Sequence, residues 1–161
     1  MLSMEQSQQS YVKTVALIVA IIIIALAIGS FSMKAARRTA PTTPTGARQM
    51  LLKHPFTMVR FTDAKGSHDV KANKFEIGFG TDKVSGVICN SFSGGYTLTD
   101  GQTIQAEQVV STKKACEASI MDVESAFFDG LRAGMTIQSD ANGDLVLTSK
   151  DGNSFQLVAK E

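Results

Sequence analysis

Twenty consecutive residues without a charge, TVALIVAIIIIALAIGSFSM (14–33), dominate the hydropathy of the chain. No helical spacing within them offers a polar face. A helix of that length spans about 30 Å, the thickness of a bilayer's hydrocarbon core, and the bilayer forces helix because backbone groups find no other partners there. The pattern predicts a single transmembrane anchor over 14–33 behind an N-terminal tail, 1–13. The alternative is a cleaved signal peptide, for which Ala25-Leu26-Ala27 has the small-x-small form. After the span, KAARRTAPTTPTGAR has two prolines, four threonines and no aliphatic side chain larger than alanine. It reads as an extended linker, 34–49.

From residue 50 the pattern changes to short alternating runs. FTMVRFT (56–62), KFEIGF (74–79), VSGVIC (84–89), GYTLT (95–99), TIQAE (103–107), MTIQS (135–139), LVLTS (145–149) and SFQLVA (154–159) each predict a strand. Gly80-Thr81-Asp82, Asp100-Gly101, Asn142-Gly143 and Asp151-Gly152 supply turn chemistry, and 135–159 reads as a three-strand meander. One segment has the other period. Ile120, Val123, Phe127 and Leu131 fall at steps of three and four, with Ser119 placed to cap, Arg132 in the last turn and Gly134 beyond. The expected fold is α+β and β-rich: about eight short, mostly antiparallel strands in a curved sheet packed on one helix, 120–132, all within 50–161 and preceded by the membrane helix.

Sixteen basic and fifteen acidic residues nearly cancel, and no long basic tract exists, so nucleic acid is not an expected partner. Around the span, Lys13 precedes and Lys34, Arg37 and Arg38 follow, which by the positive-inside rule favours a cytoplasmic C-terminal part. His54 and His68 stand apart from each other and from the cysteines, and read as surface side chains rather than metal ligands. No phosphate-binding loop or dinucleotide fingerprint occurs, and neither cofactor nor metal is expected. Asp122, Glu124 and Asp129 read as the solvated face of the helix. Cys89 and Cys116 leave three readings open: a disulfide, two buried free thiols, or a catalytic cysteine with a lowered pKa.

One set of residues resembles a known family. Val84-Ser85-Gly86, then Cys89-Asn90-x-Phe92-x-Gly94-x-Tyr96, then Thr112-Lys113-Lys114-Ala115-Cys116, followed by Glu124, Phe127 and Leu131 and a last strand Phe155–Val158, resemble the META domain, the HslJ-like family of heat-shock-associated envelope proteins. Ile88 stands where the family usually has glycine, and the family's early tryptophan is missing. The resemblance implies a Cys89–Cys116 disulfide and no enzymatic activity. It implies fold-defining roles for Gly86, Asn90, Phe92, Gly94, Tyr96 and Thr112, with Asn90 bonding local backbone. It further implies an extracytoplasmic domain, against the flanking charges, and an association with stress response and drug tolerance. The resulting expectation is a membrane-tethered binding module for a protein or lipophilic partner. The alternatives are a structural subunit of a membrane or secretion assembly and, less favoured, a cysteine-dependent enzyme.

Overall fold

In the computed structural model, which describes residues 44–160, the eight alternating runs form strands of one eleven-stranded antiparallel sheet. The tail, the span and the first part of the linker, residues 1–43, lie outside the described residues. Among the described residues no helix is long and apolar enough to cross a membrane. The elements are α1 (Pro44–Leu52), β1 (Phe56–Asp63), β2 (Gly66–Asp69), a 3-10 turn (Lys71–Asn73), β3 (Glu76–Phe79), β4 (Lys83–Val87), β5 (Ser91–Gly95), β6 (Thr97–Thr99), β7 (Thr103–Gln105), β8 (Val109–Ser111), α2 (Ala118–Ala133), β9 (Met135–Ser139), β10 (Leu145–Ser149) and β11 (Ser154–Ala159).

Three strands beyond the expected eight appear. Gly66–Asp69 is polar and pairs only with β1. Ser91–Gly95 carries a single large apolar residue, Phe92, and Val109–Ser111 is three residues long. None offers the alternation over four or more residues that marks a strand from sequence. A second helix also appears. Residues 44–49, expected as linker, form the start of α1, where Pro44 takes the first helical position that suits its fixed φ and missing N–H. Ala47 and Leu51, one turn apart, are fully buried. The signal was there at step four, masked by the Pro-Thr composition just before it.

The strand order is β6-β7-β9-β10-β11-β1-β3-β4-β5-β8. Its curl follows from one long hairpin. Residues 91–99 pair first with β4 and β8 as β5, and then, after Tyr96, with β7 as β6. The chain thus passes from near one end of the sheet order to the other, which draws the sheet into a barrel-like wrap. Asp100 and Gly101 both have positive φ, 54° and 64°, and the Gln102 N–H bonds the Thr99 carbonyl, the tight primed turn that the Asp-Gly pair predicts. The meander β9–β10–β11 forms as expected.

Helix α2 runs from Ala118 to Ala133, longer than the periodicity alone marked. Its N-cap is Glu117, not Ser119, and no side chain caps it. Val123, Phe127, Phe128 and Leu131 face the inner side of the sheet. Phe127 is the hub, with ring centroids 5.8 Å from Phe92 and 5.2 Å from Phe155. Full burial of each such ring stabilises by roughly 1.5–3 kcal/mol.

Candidate functional site

The β4–β5 hairpin turns through Ile88, Cys89 and Asn90, and this tight reversal leaves two successive backbone N–H groups pointing the same way. Both are met by one carboxylate oxygen. Cys89 N–H and Asn90 N–H donate to Glu124 Oε2 at 3.0 and 2.6 Å, and Asn90 Nδ2 donates to Glu124 Oε1 at 2.8 Å. Glu124 and Asn90 are 8% and 5% exposed, so these groups have exchanged water for one another. Every partner of the carboxylate is a donor, the arrangement an anion requires.

Asn90 then links a third segment. Its Oδ1 accepts from Thr112 Oγ1 at 2.9 Å and from the Lys114 N–H at 2.7 Å, while Nδ2 also reaches the Lys114 carbonyl at 3.5 Å. Two donors meet its oxygen and two acceptors meet its nitrogen, which fixes the way the amide points. Two residues on, Cys116 closes a disulfide with Cys89, with Cα atoms 6.0 Å apart. Neither sulfur is available as a nucleophile while that bond stands. The turn 88–90, the segment 112–116 and the first two turns of α2 are therefore joined by one covalent bond and a fully matched polar network.

Sequence reasoning paired Cys89 with Cys116 and singled out Asn90 and Thr112 without joining them to the bridge or to each other, and it misassigned the fifth member. Glu124 is not on the solvated face with Asp122 and Asp129. It follows Val123 on the buried side, and the Asn90 side chain bonds it, Thr112 and the Lys114 backbone instead of the local backbone expected of it. A signal existed: Glu124 lies one residue after Val123 and three before Phe127, inside the apolar arc of the helix, where an unpaired carboxylate would be costly.

The other expected residues shape what surrounds the network. Phe92 packs its ring 5.1 Å from Phe128. Gly86, paired with Phe92 on β4, has no room for a side chain: a Cβ there would lie 2.1 Å from the Glu76 carbonyl oxygen. At Gly94 the same atom would lie 2.4 Å from the Gln108 carbonyl oxygen. Tyr96 is at the far end of the hairpin, away from the network. Its hydroxyl donates to the Gly80 carbonyl at 2.7 Å and its ring meets Phe79 edge-on.

Burial pushes the Tyr96 hydroxyl above its ordinary pKa, Arg48 pulling it down and Asp82 adding to the rise. A raised value means that the folded state favours the protonated phenol. The associated stability is full below the unfolded value of about 10 and fades as pH rises through the folded one. Tyr96→Phe is expected to cost about 1 kcal/mol at neutral pH, since it orphans the Gly80 carbonyl. The difference between the two proteins should shrink above about pH 10, because only the wild type carries a phenol to ionise at position 96. Urea unfolding of both across pH 7–11 checks this; a gap that widens with pH would refute it.

Beside the network a recess of about 340 Å³ opens between the β1–β2 hairpin and the start of α2. Phe61, Val70 and Val123 form its apolar floor, and Asp63, Lys65, His68, Asp69 and Asp122 its polar rim. His68 stacks on Phe61 and bonds Asp63 at 3.2 Å. Burial raises the Asp63 carboxyl, but His68 and the Lys65 and Gly66 amides outweigh it and hold the group below the ordinary carboxylate value. His68 is thus a surface side chain, as expected, yet part of a rim. Among the described residues no group of three or more His, Cys, Asp or Glu is placed to hold a metal ion.

The family model of the META domain matches residues 49–161. No curated protein matches the chain. Among solved structures, an NMR structure of a protein from Burkholderia xenovorans is similar with a TM-score of 0.61 at 20% identity, over 81% of this chain and 97% of that one. A second NMR structure is similar with a TM-score of 0.55 at 22% identity, over 68% of this chain and 92% of that one. A crystal structure of a DUF4847 family protein from Bacteroides vulgatus aligns with a TM-score of 0.49 at 16% identity, over 72% of this chain and all of that one. At these identities the two NMR structures speak to the fold alone.

Proposed function

The chain belongs to the META domain family, and we propose that it is a non-catalytic binding module of the cell envelope, held to the membrane by residues 14–33 with its folded part outside the cytoplasm. The observation that carries this reading is the Cys89–Cys116 disulfide. Such bonds form and persist in oxidising compartments and are rare in reducing ones. The recess beside α2 supports the binding role. Its floor is apolar, its rim is polar, and one of its walls is the helix end that the disulfide and Glu124 hold in place. A lipophilic molecule, or an apolar side chain of a protein partner, fits that combination. The role follows the family's association with stress response and drug tolerance.

The test is thiol labelling in intact cells with a membrane-impermeant maleimide, followed by labelling of denatured protein with and without reduction. The expected result is no labelling of Cys89 or Cys116 until the protein is both denatured and reduced. Labelling of both after denaturation alone would place the folded part in the cytoplasm and overturn the envelope reading.

A further inference from the structure

Strand β8 ends the sheet order, with β5 on one side and, among the described residues, no strand on the other. The pairing tells which of its groups are free. Thr112 N–H bonds the Ser91 carbonyl, so by the two-residue alternation of an antiparallel ladder Val110 also faces β5. Val109 and Ser111 then direct their N–H and C=O groups away from the sheet. From 107 to 115 every residue except Val109 is exposed, and Val110 is 68% exposed, more than any other large hydrophobic residue described. An uncharged edge bearing an exposed valine is a template for another strand.

The charges beside this edge choose the partner. Glu107 lies three residues before Val110 and Lys113 three after it. When β8 meets a second β8 antiparallel about Val110, Val109 of one copy faces Ser111 of the other, and both are outward residues. The same register carries Glu107 of each copy to Lys113 of the other. A parallel alignment in the same register would set like charges together. The two Val110 residues would form the central non-hydrogen-bonded pair, where side chains come closest. We propose that this chain forms a two-fold symmetric dimer through β8, joining two curled sheets edge to edge.

The test uses the full chain in mild detergent, with Val110→Cys compared with Val87→Cys. Val87 is a second exposed valine, two strands in from the edge. Paired residues at a non-hydrogen-bonded site have Cα atoms about 4.5 Å apart, within reach of a disulfide. With added copper–phenanthroline, two Val110→Cys thiols should lose two protons and two electrons to oxygen and trap a covalent dimer, while Val87→Cys remains uncrosslinked. Lys113→Glu should weaken the dimer about tenfold, and Glu107→Lys with Lys113→Glu should restore it. Ser111→Pro, which removes only an outward N–H, should also weaken it with the circular dichroism spectrum unchanged. Trapping of Val110→Cys no faster than Val87→Cys overturns the proposal, whether the sample is monomeric or dimeric through another surface. Failure of the charge swap to restore what Lys113→Glu loses overturns the register.

Discussion

Reduction of the Cys89–Cys116 bond is expected to lower the unfolding free energy by about 3 to 4 kcal/mol. The bond closes a loop between residues 27 apart, and in the chain-entropy model opening that loop returns freedom to the unfolded chain. That is a large share of the stability of a domain this size. The folded state should change little, because β5–β8 pairing and the Asn90–Thr112–Lys114 bonds still hold the two segments together. Urea unfolding with and without reductant, followed by circular dichroism, measures the effect. The denaturant dependence should steepen as well, since the reduced chain exposes more surface when it opens. A loss below about 1 kcal/mol would mean that the unfolded chain keeps Cys89 near Cys116 without the bond.

The disulfide matters beyond stability because of where it ends. Cys116 is two residues before α2, and Glu124 binds the same hairpin turn from two turns further along that helix. Together they fix the helix start that walls the recess, so the elements that hold the fold also define its binding surface.

How far the sequence disclosed this depends on the distance over which each signal acts. Strands with four or more alternating residues, such as MTIQS and LVLTS, carry their own pattern, and Asp100-Gly101 carries its own turn. Strand β8 has no such pattern; it exists because Phe92, Ser93 and Gly94 are already in place to pair with it. Glu124 shows the same limit. Its partners lie 34 and 35 residues away, and a helical pattern reports which face is apolar without reporting that the opposite wall presents two bare N–H groups. The family resemblance singled out Asn90 and Thr112, but only the fold shows that Thr112 bonds Asn90 and that Asn90 serves a buried carboxylate.

That carboxylate yields a further prediction. Glu124→Gln is expected to destabilise the protein by about 3 kcal/mol, although it changes neither shape nor volume. The amide oxygen can still take the two backbone N–H groups, but its NH₂ then faces the NH₂ of Asn90, donor against donor. Asn90 cannot flip to help, because its Oδ1 is held by Thr112 and the Lys114 N–H. Asn90→Asp alone should cost a similar amount by setting two carboxylates face to face. The two changes together reverse the polarity of the contact. The carboxylate now at position 90 accepts from the amide now at position 124, and it keeps its bonds from Thr112 and Lys114. Only the 3.5 Å contact to the Lys114 carbonyl is lost. The double variant should therefore be more stable than the sum of the single losses predicts, by about 2 kcal/mol. Urea unfolding of the four proteins completes the cycle. Additive losses would show that burial of charge, and not the match of donors to acceptors, sets the energy of this contact.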